Sequence, residues 1–254
     1  MEINRKYFFS NPFIDITRTL YKEGVIMQPH HHNETAISMI LSGSIHETVD
    51  SKTAIGGIAN MVIKPRKTIH NNLFSNDCAI ISIYLKEENH NKIHHPDMLT
   101  EWNWINSGNC NHFLQSLILN KTEKEYYETL NGFLGHFKHQ KAHTKQNKPP
   151  QWIREVKTIL DTSYNEVIKS KDLAKAFNVH PVYLTKIFKK HFGQSIKSYL
   201  KTLRVNGSMA TMFQNETPLA QVALENGYCD QSHLNRNFKS ETNLTPRHFK
   251  KLIQ

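Results

Sequence analysis

The stretch "ALENGYCDQSHLNRNFK" (residues 223–239) decides how the C-terminal half of the chain is read. An apolar pattern of helical period reaches Leu224, breaks at Asn226-Gly227 and resumes at Leu234 and Phe238. Leu234 and Phe238 stand at i and i+4, so both fall on one helix face and belong in a core. Gln231 with Asn235, and Ser232 with Arg236, form two more such pairs on the roughly opposite side. Gly227 takes a left-handed backbone at no Cβ penalty, and Asp230 is a good N-cap. The stretch predicts a tight corner followed by a short helix with a polar, amide- and guanidinium-bearing exposed side.

The pattern occurs twice. "DLAKAFNVHPVYLTKIFKKHFGQSIKSYL" (172–200) lies over "QVALENGYCDQSHLNRNFKSETNLTPRHFKKL" (221–252). Phe188 and Phe238, Gly193 and Asn243, Ser195 and Thr245, and Tyr199 and Phe249 are each 50 residues apart, whereas Ala174 and Ala223 are 49 apart because the second corner is one residue longer. Two copies with a unique segment between them argue for paired helix-turn-helix modules rather than a solenoid. In the first copy Leu184, Ile187 and Phe188 form the buried set behind Pro181, which suits a first helical turn, and Val182, Thr185 and Lys186 face outward. The connecting "SIKSYLKTLRVNGSMATMFQN" (195–215) reads as one helix. Its length of roughly 30 Å is close to the ~34–36 Å between successive major-groove faces of B-DNA. Gly207 weakens that helix by about 1 kcal/mol relative to alanine.

Charge agrees with this reading. The chain carries 32 Lys and Arg against 22 Asp and Glu, with 16 and 14 of them up to Pro150 and 16 and 8 beyond it. The basic surplus is therefore C-terminal, as an anionic partner requires. Arginine forks onto guanine, glutamine and asparagine onto adenine, and small apolar groups touch the thymine methyl. The candidates for base contact are thus Val182, Thr185, Lys186, Gln231, Ser232, Asn235 and Arg236. Lys189, Lys190 and Lys239 are candidates for phosphate contact, which positions a protein without reading sequence. A plain helical bundle with a solvated basic face is the bland alternative.

Residues 152–252 resemble the DNA-binding domain of AraC-type transcription regulators. The resemblance rests on Leu173-Ala174, Leu184, Phe188-Lys189, Gly193, Tyr199, Arg204, Ala220 to Ala223 and above all "NGYCDQSHLNRNFKSETNLTP" (226–246). Gly207, Ser208 and Asn243 depart from the family pattern. The resemblance implies sequence-specific binding of double-stranded DNA by two helix-turn-helix units, about 170–191 and about 219–241. It also implies a homodimer, RNA polymerase as a further partner, and an N-terminal domain that senses a small-molecule effector or mediates dimerisation.

The first 85 or so residues read as β-rich: "TAISMILSGSIHETV" (35–49) with a Ser-Gly-Ser turn, "GGIANMVIKP" (56–65) and "CAIISIYL" (78–85) are strand patterns at barrel or sandwich spacing. Helical stripes follow from Phe113 to Phe137, and "KHQKAHTKQNKPP" (138–150) reads as a linker. The expected fold is mixed and multidomain. An all-β barrel with trailing helices precedes an all-α domain of two helix-turn-helix units joined by a long helix. The expected boundaries are 1–110 for the barrel, 111–138 for a helical hairpin that dimerises or covers it, 139–150 for the linker and 151–254 for the DNA-binding domain.

"PHHHNETAISMILSG" (29–43) and "PRKTIHNNLF" (65–74) resemble the two motifs of cupin barrels, Gly24 preceding His30 and His32, and Pro65 preceding His70. That resemblance implies a metal site on His30, His32 and His70. The family's glutamate position falls on Ala36, Glu34 stands two residues early, and Lys67 replaces a glycine. Three neutral imidazoles suit zinc, nickel or iron with open positions. A divalent metal, a metal-free polar effector pocket and no pocket at all remain open, and no cofactor is required. The missing carboxylate speaks against an enzyme, so no catalytic residue is assigned. A metal-dependent cupin enzyme with a DNA-binding appendage and a non-specific DNA binder are the competing functions. Cys78, Cys110 and Cys229 lack any C-x-x-C spacing, no apolar run approaches the ~18 residues of a membrane span, and "MEINRKYFFSNPF" lacks a signal-peptide stretch. A soluble cytoplasmic protein is expected.

Overall fold

The computed structural model describes residues 3–58, 60–86, 92–106, 110–119, 122–144, 149–214 and 217–253. Ten strands come first: β1 (Ile3–Ser10), β2 (Ile14–Tyr21), β3 (Ile26–His30), β4 (Thr35–Ser42), β5 (Ser44–Val49), β6 (Lys52–Gly57), β7 (Asn60–Lys64), β8 (His70–Phe74), β9 (Cys78–Leu85) and β10 (Asn103–Asn106). They form a six-stranded sheet in the order β1-β2-β9-β4-β7-β10 and a four-stranded sheet in the order β3-β8-β5-β6, with antiparallel pairing throughout. The turn between β4 and β5 needs its glycine. Gly43 sits at φ +76°, and a Cβ there would lie 2.5 Å from the Asp77 carbonyl oxygen.

Ile40 and Ile80 of the larger sheet meet Ile45 and Phe74 of the smaller one in the core between the sheets. Ile37, Met39, Leu41, Ile81 and Ile83 point the other way, into a larger core built with helices. Strand β4 is therefore buried on both faces, and this is why "TAISMILS" is a nearly continuous apolar run instead of an alternating one.

The helices are α1 (Asp97–Thr100), α2 (Cys110–Leu119), α3 (Glu123–Thr144), α4 (Gln151–Thr162), α5 (Ser170–Ala176), α6 (Pro181–Phe192), α7 (Ile196–Gln214), α8 (Leu219–Glu225), α9 (Gln231–Thr242) and α10 (Pro246–Ile253). Two expectations are corrected here. The stretch read as a linker is helical as far as Thr144, because Lys, Gln and Ala keep helix propensity after the apolar stripe ends and no proline intervenes before Pro149; residues 145–148 lie outside the described residues. The apolar stripe of α2 and α3 is no free dimerisation face. Phe113, Leu114, Leu117, Tyr126, Leu130, Leu134 and Phe137 are at most 5% exposed and belong to the chain's own core.

The two helix-turn-helix units are packed differently. Helices α4, α5 and α6 enclose Ile196, Tyr199 and Leu203 of α7 in a core of their own. The second half of α7, from Val205 to Phe213, shares its core with α8, α9, α10, the six-stranded sheet and the α2–α3 pair. Polar contacts reinforce that union. Arg18 of β2 donates to the Phe213 carbonyl oxygen at 2.5 Å and lies over the Phe213 ring. The Asn243 amide at the end of α9 donates to Gln115 of α2 at 3.1 Å.

Gly207 is fixed by close approach. A Cβ there would run into the Asn226 side-chain oxygen and come within 2.5 Å of the Tyr164 hydroxyl. Gly207→Ala gains helix propensity of about 1 kcal/mol but overpacks a site that tolerates no methyl, a change that costs about 1–3 kcal/mol. The expected outcome is a lower thermal midpoint, and a variant as stable as the parent or more so would show that α7 does not approach the second corner this closely.

Candidate nucleic-acid interface and histidine cluster

Each corner is built by one left-handed residue. Asn178 (φ 52°) ends the turn after α5, and the next amide, Val179 N–H, donates to the Ala174 carbonyl at 2.9 Å. Gly227 (φ 75°) does the same after α8, with Tyr228 N–H donating to the Ala223 carbonyl at 3.0 Å. Asn178 is thus the counterpart of Gly227, and the extra residue of the second corner is Cys229, just before the cap. Asparagine tolerates the left-handed region; Gly227 is required, because a Cβ there would meet the Asn165 carbonyl oxygen at 2.5 Å.

The helices after the corners start and stop alike. His180 caps α6 by accepting from Val182 N–H at 3.3 Å, and Asp230 caps α9 by accepting from His233 N–H at 2.7 Å. Gly193 and Asn243, fifty residues apart, close them in the left-handed conformation. Leu184 and Phe188, and Leu234 and Phe238, are fully buried. Val182, Thr185, Lys186, Gln231, Ser232, Asn235 and Arg236 are all exposed, as are Lys189, Lys190 and Lys239. Ile187, expected inside, is half-buried. The Thr185 hydroxyl donates to the Pro181 carbonyl at 2.9 Å, which leaves its methyl as the group on offer.

In the β domain His30, His32 and His70 come together, with candidate ligand nitrogens within 4.8 Å of one another. The expected reason was alternation along one strand, and that is corrected: β3 ends at His30, and His32 lies in the following loop. His30 instead stands opposite His70 across the β3–β8 pair. Both rings donate from Nδ1 to a backbone carbonyl, His30 to Gln28 at 2.8 Å and His70 to Thr68 at 2.9 Å, which places the lone pair on Nε2. The His70 Nε2 is buried without a partner. Burial, followed by the nearby Lys64 ammonium, pushes His32 down to about 3 and His70 down to about 4, so both rings are neutral at ordinary pH.

Sequence reasoning missed the charges beside this cluster. Lys64 of β7 forms a buried ion pair with Glu47 of β5 at 2.9 Å, and Trp102 Nε1 donates to the other Glu47 oxygen at 2.7 Å. Ala36, at the family's glutamate position, is buried and sits in register with Lys64 and Tyr84. The only signals in the sequence were a lone Glu in "SIHETV" and a lone Lys ending "NMVIK", neither distinguishable from a solvated charge. The arrangement offers three imidazole nitrogens, with His32 and His70 neutral, beside a carboxylate already neutralised by lysine.

A family model described as a helix-turn-helix domain matches residues 173–252. The C-terminal domain is of the helix-turn-helix type. The chain is 26% identical over 130 residues to the Msm operon regulatory protein of Streptococcus mutans, covering 51% of this chain and 47% of that protein. It is 29% identical over 86 residues to the lactose operon transcription activator of Staphylococcus xylosus, covering 34% and 31%. The chain thus spans about half the length of the first of these relatives and less of the second. Among solved structures it is similar to ToxT from Vibrio cholerae, with a TM-score of 0.41, 11% identity, and coverage of 94% of this chain and 98% of that one.

Breaking one partner of a buried ion pair costs about 3–5 kcal/mol, whereas replacing both by apolar groups is often neutral. Glu47→Ala should therefore lower the urea midpoint strongly, and adding Lys64→Met should recover most of the loss. Equal stability of the Glu47→Ala variant and the parent would show the pair to be solvated.

Proposed function

We propose that the protein is a sequence-specific transcription regulator that binds double-stranded DNA through α6 and α9, with a ligand-responsive β domain. The observation that carries this reading is the pair of short helices in one register, each burying the same two positions and exposing a polar, base-matching side. The nineteen residues of α7 rise about 28 Å, close to the spacing of successive major grooves. A non-specific binder needs cations but no ordered amide, hydroxyl and guanidinium stripes. The relatives, named as operon regulators, support the reading. A homodimer and RNA polymerase as partner belong to the same proposal, without the α2–α3 stripe as the dimer contact. A cytoplasmic location follows from DNA as partner; no described helix is long and apolar enough to cross a membrane.

Selection of bound DNA from a random pool supplies the operator. Arg236→Ala and Asn235→Ala should each reduce discrimination between operator and random DNA by about 1–3 kcal/mol. Discrimination equal to the parent's in both variants would defeat the reading.

For the β domain, the three histidines are the ligand-responsive site, and a divalent metal is the ligand their donors fit. The orphaned His70 Nε2 and the two Nδ1 bonds are what a metal-bound imidazole requires. Three nitrogens on one ion at about 2.1 Å lie roughly 3.4 Å apart, so binding draws the rings inward. The enzyme reading is weaker, since Glu47 is held by Lys64 and Trp102 and no carboxylate among the described residues joins the cluster. An effector inside the domain bears on β4 and β9, whose other faces support α7, and regulation requires that it bind one arrangement of that wall more tightly than another. Protein purified without affinity metal or chelator should hold one divalent ion per chain and lose it in His32→Ala and His70→Ala. Undiminished metal content in both variants would remove the site.

A further inference from the structure

The internal duplication reaches beyond the reading helices. A cleft of about 1120 Å³ lies at the start of α7 and is lined by Ser170, Ser195, Lys197, Ser198 and Lys201. A second, of about 610 Å³, lies at the start of α10 and is lined by Leu219, Thr245, Arg247, His248 and Lys251. Ser195, Lys197, Ser198 and Lys201 are each exactly fifty residues before Thr245, Arg247, His248 and Lys251, and Ser170 is 49 before Leu219. The local geometry repeats as well. Ser195 accepts from Ser198 N–H at 3.1 Å, and Thr245 accepts from His248 N–H at 3.2 Å. Among the described residues, neither cleft is lined by an aspartate or glutamate.

We propose that these two basic clefts hold the sugar-phosphate backbone of the bound DNA, one at the start of α7 and one at the start of α10, through Lys197 in the first copy and Arg247 with Lys251 in the second. The inference rests on the DNA-binding reading and adds contacts that the exposed lysines of α6 and α9 do not include. Three features carry it. Lys197, Arg247 and Lys251 are exposed and have no ion-pair partner among the described residues, whereas Lys201 is already engaged with Glu241 at 2.6 Å and Lys250 with the Thr217 carbonyl at 2.9 Å. The first cleft also includes Arg236 of α9, so it opens onto the side of the molecule that reads bases. Finally, basic lining residues that recur at the fifty-residue spacing of the two units match a partner whose charges recur with its grooves, and phosphate contacts of that kind fix the position of a protein on the duplex. An acidic protein partner has no reason to present its charges at that repeat.

The test is the salt dependence of binding to operator and to random DNA by the full chain carrying Lys197→Gln, Arg247→Gln or both, with Lys124→Gln on α3 as the comparison. Each lost phosphate contact should reduce the slope of log K against log salt by about 0.9, additively in the double variant and equally on both DNAs, with thermal midpoints unchanged because the side chains are exposed. A slope equal to that of the parent in the double variant overturns the proposal, and so does a loss confined to the operator, which would make these residues base readers. Tight binding of the double variant to DNA together with loss of an acidic protein ligand overturns it in favour of a protein partner. Failure of the underlying reading looks different: parent protein without sequence preference, or unchanged discrimination in Arg236→Ala, removes DNA reading itself, whereas normal discrimination with an unaltered slope removes only the clefts.

Discussion

Close approach along α7 is the constraint on which the C-terminal half depends. This helix must touch the first helix-turn-helix unit, the second unit and the β sheet at once, so its residues are chosen for small size and self-sufficiency rather than for helix propensity. Thr202, Asn206 and Ser208 are fully buried or nearly so. Ser208 and Thr211 donate to carbonyls four residues back, at 2.8 and 3.1 Å, which satisfies their hydroxyls inside the helix. Arg204 then ties the loop between α4 and α5 to the helix through the Tyr164 and Glu166 carbonyls, at 2.7 and 2.8 Å. Gly207 and Ser208 departed from the family pattern in directions that look unfavourable for an isolated helix, and the packing explains both.

The same helix joins the sheet to both helix-turn-helix units. Strands β4 and β9 have two buried faces, one toward the interior that holds Lys64, Tyr84 and the histidines and one toward α7 and its neighbours. A rigid wall shared in this way transmits a shift more readily than a flexible linker does, because packed side chains on both sides resist independent movement. The first helix-turn-helix unit packs on the first half of α7, with Ile58 as the one β-domain residue among those described in its core cluster, while the second is continuous with the β domain. Any rearrangement of the wall therefore acts on the relation between α6 and α9.

Much of this was legible in the sequence because the chain repeats itself. The fifty-residue register showed the two helix-turn-helix units and the exposed residues of α6 and α9, Asp230 marked a cap, and each copy served as a control on the other. Strand positions were legible where turns carried Gly or Pro, as at Gly43 and Pro65. What could not be read has physical causes. Strand β10 is four residues, and its role, placing Trp104 against Gly56 where no Cβ would fit, depends on a contact nearly fifty residues away. The helical character of 138–144 comes from propensity without periodicity. The α2–α3 stripe looks the same whether it meets another chain or its own core. Glu47 and Lys64, and likewise Asp161, which accepts from Tyr199 at 2.5 Å and pairs with Lys157 at 2.6 Å, are charges whose burial only the folded chain reveals.

The two copies also show what happens to a repeat when one of its units acquires a second task. Gly193 and Asn243 occupy the same cap with the same left-handed backbone, and glycine is the less strained choice at both. Only at the second does the side chain have work, since the Asn243 amide reaches Gln115 and His112 of α2, contacts a glycine cannot make. Similarly Asn178 suffices at the first corner, whereas the second corner meets the Asn165 backbone and takes Gly227. The copies thus differ at the cap and corner where the second unit meets a neighbour, and they keep Leu184 with Leu234 and Phe188 with Phe238, which bury both helices in the same way.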